Sequence, residues 1–218
     1  MADNISGLFE IHITVHPNQG FYKLWAYVNA NKNMKLILAV SDTGEFKEQY
    51  MISKWKNGKY RDVVARADEI ANEMRSQGIN VVRVKVESMA HNDGVPIEED
   101  EFTTFMENSK DLIGKPYFEF HAKVDLRSMD LEDFENWIAK VKNNFGSDTY
   151  IATSTNICGS KLPLLTIRIY NHGRKYAIET KDNILESFKD AGFKILDSIQ
   201  QEFSVYDTND KVDDGWLY

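Results

Sequence analysis

Glutamate and histidine recur at matching places in two similar stretches of the sequence. FEIHITV, near the start, carries Glu10 and His12, and FEFHAKV, in the middle of the chain, carries Glu119 and His121. An imidazole titrates near neutral pH, and a neighbouring carboxylate orients it, so such a pair suits general acid–base catalysis. The repeated Glu-x-His pattern therefore predicts a polar site to which both halves of the chain contribute.

The elements around the two stretches recur in the same order. In each half an alternating strand precedes an amphipathic helix, two strands, a second amphipathic helix and a last strand. Turns are predicted at 57–58 and 172–173, and Gly78 and Gly192, 114 residues apart, lie where a left-handed helix C-cap is typical. The pattern predicts an α+β fold made by tandem duplication of a ferredoxin-like βαββαβ unit.

The repeat divides the chain into segments. The predicted segments are a first repeat at 1–90, an acidic linker at 91–115, a second repeat at 116–207 and a C-terminal tail at 208–218. The linker is expected to be a solvated connector. The tail is expected to fold back so that Trp216 and Leu217 cover apolar surface, and a mobile acidic tail is the alternative.

Composition limits the compartment and the partners. The chain has 218 residues, 42% of them hydrophobic, so it can bury a substantial core. Its single cysteine excludes an intramolecular disulfide, and no apolar run approaches the ~20 residues of a membrane span. A net charge of −8 disfavours general nucleic-acid binding, because phosphate is repelled. We expect a cytoplasmic protein that binds no membrane, and the oligomeric state is left open.

The repeat also predicts which side chains meet. In a βαββαβ unit both helices cover one face of the sheet, and the alternation of polar residues identifies the open face. Because the first and last strands are neighbours, His12 is expected beside Glu87, and His121 beside Glu202. The two open faces are predicted to pack toward each other and to form a pseudo-two-fold cleft.

The cleft residues suggest handling of a small anionic, phosphate-bearing ligand that is nucleotide-like. Histidines would act as general base and acid, oriented by glutamates, while arginine and lysine would bind the phosphate. The predicted catalytic residues are His12, His121, Glu10, Glu87, Glu119 and Glu202. The predicted substrate-binding residues are Thr14, Ser53, Trp55, Arg83, Lys85, Lys123, Thr166, Arg168 and Tyr170. This interpretation predicts an enzyme that hydrolyses or rearranges its ligand and needs no metal.

In outline the chain resembles the two-histidine phosphoesterases, whose duplicated lobes each offer a His-x-Thr strand across a symmetric cleft. His12-Ile13-Thr14 fits that motif. His121-Ala122-Lys123 departs from it, because lysine stands where the family has threonine or serine. The family's motif also usually lies further into each lobe than the opening strand. The resemblance implies a phosphoesterase-like hydrolase.

Two alternatives compete with this interpretation. In the first, His12, Glu87, His121 and Glu202 form a set that is similar to the ligand layout of glyoxalase-type (vicinal oxygen chelate) enzymes and suits a divalent transition metal. The halves are, however, longer than that family's modules and contain a second helix. In the second alternative, the protein is a non-catalytic receptor or sequestering protein for an anionic metabolite, with Trp55 and Tyr170 stacking on a ring.

Overall fold

The structure is a computed structural model that describes residues 2–19, 21–41, 47–125, 131–159 and 162–216. The described chain has a mixed α+β fold with a large antiparallel sheet and five helices. The strands are β1 (Ser6–Val15), β2 (Lys35–Val40), β3 (Glu48–Lys59), β4 (Val81–Met89), β5 (Tyr117–Asp125), β6 (Thr149–Asn156), β7 (Pro163–Tyr170), β8 (Lys194–Ile195) and β9 (Gln200–Asp207). The helices are α1 (Phe21–Ala30), α2 (Tyr60–Ser76), α3 (Glu99–Glu107), α4 (Leu131–Phe145) and α5 (Arg174–Asp190).

The sheet closes on itself. Eight strands pair in the cyclic order β1, β3, β2, β6, β7, β5, β9, β4 and back to β1. The short β8 pairs only with the end of β5. Two seams join the halves of the chain: β4 pairs with β9 from Lys85 to Met89, whereas β2 pairs with β6 only at Ala39 and Val40. The polar face of the sheet therefore encloses an interior, instead of lining the open cleft predicted between two separate sheets.

Helices cover the outer face of the closed sheet. Beside the first half, the apolar residues of β1 share one core with Val63, Ala67 and Ile70 of α2. Beside the second half, the residues of β5 share it with Ile184 and Phe188 of α5. Burial of each large apolar side chain stabilises the fold by roughly 1.5–3 kcal/mol. None of the described helices is both long and apolar enough to span a membrane.

Local backbone geometry matches the sequence in one place and differs in another. Gly78 and Gly192 follow the C-caps of α2 and α5 with φ of 73° and 90°, which confirms the left-handed glycine caps. The turn predicted at Asn57-Gly58 is wrong. Strand β3 continues to Lys59, because Gly58 pairs with Gly7 of β1 and α2 begins directly at Tyr60.

The segment predicted to be an acidic linker contains helix α3. Its acidic first turn lies where the helix dipole favours negative charge, and the Glu101 carboxylate accepts a hydrogen bond from the Glu98 backbone N–H. On its other face, Phe102 and Phe105 are buried, and the Phe105 ring lies 5.6 Å from that of Phe203 in β9. The acidic composition thus describes the exposed face of a packed helix.

The unequal seams predict unequal local stability. The Ile157 N–H donates to the Leu38 carbonyl beside the short β2–β6 seam, and the Ala90 N–H donates to the Gln201 carbonyl beside the long β4–β9 seam. Since local opening needs fewer broken bonds at the short seam, we expect the Ile157 amide to exchange at least ~10-fold faster than the Ala90 amide. NMR-detected hydrogen exchange measures both rates. Equal protection would contradict the view that β2–β6 opens first.

Candidate functional site

The interior of the closed sheet is filled by polar side chains. They project from the strand faces opposite the helices, and a closed sheet of eight strands leaves an interior just wide enough for side chains. We call this set the polar interior. Its charged and histidine members are Glu10, His12, Arg83, Lys85, Glu87, Glu119, His121, Arg168, Glu202 and Asp207, together with Asp213 from the short turn Asp210–Asp213 that follows β9.

The first histidine contacts two glutamates. His12 Nε2 lies 3.2 Å from Glu87 Oε2 and 3.6 Å from Glu10 Oε1. The Ser53 hydroxyl donates a hydrogen bond to Glu10. The predicted neighbourhood of His12 and Glu87 is present, but it is diagonal: Glu10 is the residue directly opposite Glu87, and His12 faces Lys85.

The second histidine has a matching environment. His121 Nε2 lies 3.0 Å from Glu119 Oε1 and 3.7 Å from Glu202 Oε2, and its Nδ1 lies 3.0 Å from the Thr166 hydroxyl. Glu119 is directly opposite Glu202, so the contact of His121 with Glu202 is again diagonal. Each imidazole thus contacts the glutamate two residues before it and one from the last strand of its own half.

One amide links the two histidine environments. Gln200 Nε2 donates to Glu10 Oε2 at 2.7 Å and to Glu202 Oε1 at 2.8 Å. The imidazole side chains are 15% and 24% exposed, whereas Glu87 and Glu202 are completely buried. We call this region, near Gln200 at the start of β9, the histidine end. There the network can exchange protons with a ligand or with solvent.

The cations predicted to bind phosphate are paired inside the protein. Lys85 Nζ lies 2.8 Å from Glu87 Oε1 and 3.0 Å from Glu119 Oε1. Arg168 pairs with Glu119 through Nε and with Asp213 through a terminal nitrogen at 2.8 Å. A phosphate among these groups would have to displace a buried carboxylate.

Arg83 is paired in the same way, at the other end of β9. Its Nε donates to Asp207 at 2.9 Å, and NH1 donates to Asp213 at 2.9 Å. The ring of Tyr117, in the middle of the interior, lies under Arg168 and Lys85 at 4.8 Å and 5.5 Å.

The other predicted residues are dispersed. Thr14 is buried opposite Arg83, and Lys123 pairs with the exposed Asp197 at 2.7 Å. Trp55 is partly buried opposite Glu10. Tyr170 packs against the rings of Tyr117 and Tyr150 at 4.8 Å and 5.4 Å, so its face is used within the protein.

Several interior residues were missed from the sequence. Tyr117 and Gln200 could have been found, because each lies two positions before a predicted site residue on its own strand. Asp207 could not have been found in this way. The register between β4 and β9 shifts between Val86 and Glu87, which changes the face of the sheet on which Asp207 lies. Tyr206 consequently lies on the helix side, where its hydroxyl donates to Asp68 of α2.

The buried charges are unequal in number. Among the described residues, the polar interior buries six carboxylates and three fixed cations. Burial and the carboxylates of Glu87 and Glu10 raise the pKa of Glu202 well above its usual value, which favours the protonated form of Glu202. Burial lowers the pKa of His12, but Glu10 and Glu87 outweigh it and leave that pKa raised. Protons on these two groups reduce the excess of negative charge.

The pKa values of two other glutamates in the same network are shifted in the opposite direction. Burial raises the pKa of Glu119, but Arg168 and Lys85 outweigh it and hold the pKa well below its usual value. Burial also raises the pKa of Glu87, but Lys85 and His12 together outweigh it, so this pKa is lowered overall. Carboxyl groups whose pKa values are pushed apart are typical of acid–base sites.

The metal-binding alternative lacks an assembled ligand set. Within the described ranges, no three His, Cys, Asp or Glu side chains are arranged to hold a metal ion. Glu87 contacts His12, and Glu202 contacts His121, as two separate pairs. The Lys85 ammonium between Glu87 and Glu119 would also repel a cation.

Comparison with known proteins gives little guidance. No family model matches the sequence, and no curated protein matches it. The structure is similar to that of chlorite dismutase from Candidatus Nitrospira defluvii, solved in complex with imidazole. The alignment covers 95% of this chain and 94% of that chain at 8% identity, with a TM-score of 0.32. A TM-score this low identifies neither a family nor an activity.

The buried proton of Glu202 predicts a distinctive pH dependence. The folded protein keeps this proton, whereas the unfolded chain releases it above a pH of about 4.5, so the free energy of unfolding falls by up to ~1.4 kcal/mol per pH unit until Glu202 ionises. Glu202→Gln mimics the protonated form and removes this loss. Urea denaturation from pH 5 to pH 9 should show the variant gaining stability over the wild type as pH rises.

The matched control is Glu186→Gln on the exposed face of α5, which should follow the wild-type pH profile. A stability difference between Glu202→Gln and the wild type that does not change with pH would show that Glu202 is ionised in the folded protein.

Proposed function

We propose that the protein binds a small ligand at the histidine end and hydrolyses or rearranges it, with His12 and His121 as general acid and general base. The observation that carries the proposal is the pair of partly exposed imidazoles, each in contact with two buried glutamates. Groups with shifted pKa values at the accessible end of a buried network are typical of catalytic sites.

The two histidines would have different roles. The raised pKa of His12 favours the protonated imidazole, whose positive charge Glu10 and Glu87 stabilise. His12 therefore suits the general acid, which donates a proton to a leaving group. His121 would accept a proton from water or from the ligand, while Thr166 and Glu119 fix the orientation of its ring.

The sequence predicts a ligand that carries phosphate, and we propose a different binding position for it. Arg83, Lys85 and Arg168 are compensated by buried carboxylates, and an anion binds them only by displacing one of these, which weighs against a phosphate in the interior. A phosphate ester at the histidine end would instead meet the His12 imidazolium and, further out, Lys123. We therefore propose a small phosphate ester held by imidazoles as the first ligand class to test.

A second candidate follows from the excess of carboxylates. Six carboxylates against three fixed cations in the described interior give a negative field, which attracts positive charge. This favours a non-catalytic receptor for a small organic cation, such as a primary amine, over the receptor for an anionic metabolite that the sequence suggests.

We also infer that the chain arose by tandem duplication of a βαββαβ unit. The matching orders of elements, the glycine caps at Gly78 and Gly192, and the matching glutamate contacts of the two histidines support this origin. Duplication would explain why each half contributes one residue to the catalytic pair.

Hydrolysis of a chromogenic phosphate diester, bis(p-nitrophenyl) phosphate, tests the catalytic proposal. His12→Ala and His121→Ala should each lower kcat/KM by at least ~10²-fold, the usual contribution of a general acid or base. The double variant should lose little more than either single variant, because groups that act together are non-additive. His172→Ala, which removes a surface imidazole stacked on Tyr176, should leave the rate unchanged.

Full activity in the double variant would overturn the assignment of the two histidines. If the wild type neither binds nor hydrolyses phosphate esters, the ligand class is wrong. Calorimetric titration with a panel of primary amines then tests the receptor candidate, whose affinity should fall when Glu10→Gln removes a carboxylate at the histidine end.

A further inference from the structure

Residues 208–216 fold back over the end of the closed sheet where β9 stops. Val212 and Trp216 are buried, and the Asn209 amide donates a hydrogen bond to the Val82 carbonyl at 3.1 Å. We call residues 208–216 the closing segment. The tail predicted from the sequence to fold back does so through Trp216, while Leu217 lies outside the described residues. The Asp213 carboxylate is thereby placed in the polar interior with only 6% of the residue exposed.

Three donors from three strands hold that carboxylate. Arg83 NH1 lies 2.9 Å and Arg168 NH1 2.8 Å from Asp213 Oδ2, and Gln49 Nε2 donates to Oδ1 at 2.9 Å. Arg83 comes from β4, Arg168 from β7 and Gln49 from β3, so the donor set is built by the sheet and not by the closing segment. Two guanidinium groups and an amide around one carboxylate are the usual components of an anion-binding site.

The closing segment leaves space near Gln49, one of the three donors to Asp213. A cavity of about 130 Å³ lies between the segment and the strand ends. Thr14, Glu48, Gln49 and Val82 line it from the sheet, and Asn209 and Lys211 line it from the segment. Gln49 both lines the cavity and binds Asp213, so the cavity adjoins one of the three donors. Its volume is sufficient for the body of a carboxylic acid with a few carbon atoms.

We propose that Arg83, Arg168 and Gln49 form an anion-binding site whose resident ligand is the Asp213 carboxylate, and that a small external carboxylate binds there in competition with Asp213. This site is separate from the histidine end and does not depend on the function proposed for it. The closing segment is then an internal competitor: a ligand that binds at this site displaces Asp213 and loosens the cover over that end of the sheet.

The test replaces the resident carboxylate and supplies another. Asp213→Ala in the full chain leaves two buried guanidinium groups without their shared partner, so Tm should fall by roughly 10 °C. Sodium acetate should restore part of that loss in a concentration-dependent manner, because it binds the folded state only. The wild type should need acetate concentrations at least ~10-fold higher for the same gain in Tm, because the tethered Asp213 competes at high effective concentration.

Two controls separate specific binding from a general effect of salt. Sodium chloride at equal ionic strength should not rescue Asp213→Ala. Asp214→Ala, which removes the adjacent exposed carboxylate, should show neither the loss nor the acetate response. Equal responses of Asp213→Ala and the wild type to acetate, or equal rescue by chloride, would overturn the proposal.

A second measurement covers the case in which Asp213→Ala does not fold in dilute buffer. Refolding from urea should then yield soluble, cooperatively folded protein in acetate and not in chloride. Failure in both salts, together with an unchanged Tm of Asp213→Asn in acetate and chloride, would also overturn the proposal. Inorganic phosphate is the comparison anion, and rescue by phosphate without rescue by acetate would contradict the assignment to a carboxylate.

Discussion

Lys85 joins the two halves of the polar interior, and the arrangement of the other charges depends on it. Its ammonium lies between Glu87, which contacts His12, and Glu119, which contacts His121 and Arg168. A charge of this kind is costly to bury unless its partners are close, and removal of one partner from a buried pair typically costs ~3–5 kcal/mol. The pairing therefore restricts how the halves can be joined, since a shift of β4 against β9 would separate Lys85 from Glu119.

The alternation of polar and apolar residues was sufficient to identify the inward faces of the strands. Glu10 and His12 on β1, and Glu119 and His121 on β5, point into the interior as their period of two requires. Alternation carries no information on which edges of two sheets will meet. The β4–β9 and β2–β6 seams, which turn an expected cleft into an enclosed interior, therefore have no counterpart in any local pattern.

The same limit explains why the sequence predicts that the cations bind phosphate. The sequence places Arg83, Lys85 and Arg168 on polar faces, but apart from Glu87, two residues from Lys85, their carboxylate partners are distant in the chain. Glu119 is 34 residues from Lys85, and Asp213 is 130 residues from Arg83. The local sequence shows such an arginine without a partner, because folding brings its carboxylate from a distant part of the chain. The acidic composition of the last residues likewise leaves a mobile tail as an alternative to the predicted fold-back, although Asp213 is one of the buried partners.

The division of the buried charges between the halves has a consequence for biosynthesis. In the described interior, β1 and β4 contribute two cations, Arg83 and Lys85, and two carboxylates, Glu10 and Glu87. The residues from β5 onward contribute only Arg168 against Glu119, Glu202, Asp207 and Asp213. The first half, which leaves the ribosome first, thus holds equal numbers of buried cations and carboxylates. The second half emerges with an excess of carboxylates, two of which, Asp207 and Asp213, pair with Arg83 of the first half when the sheet closes.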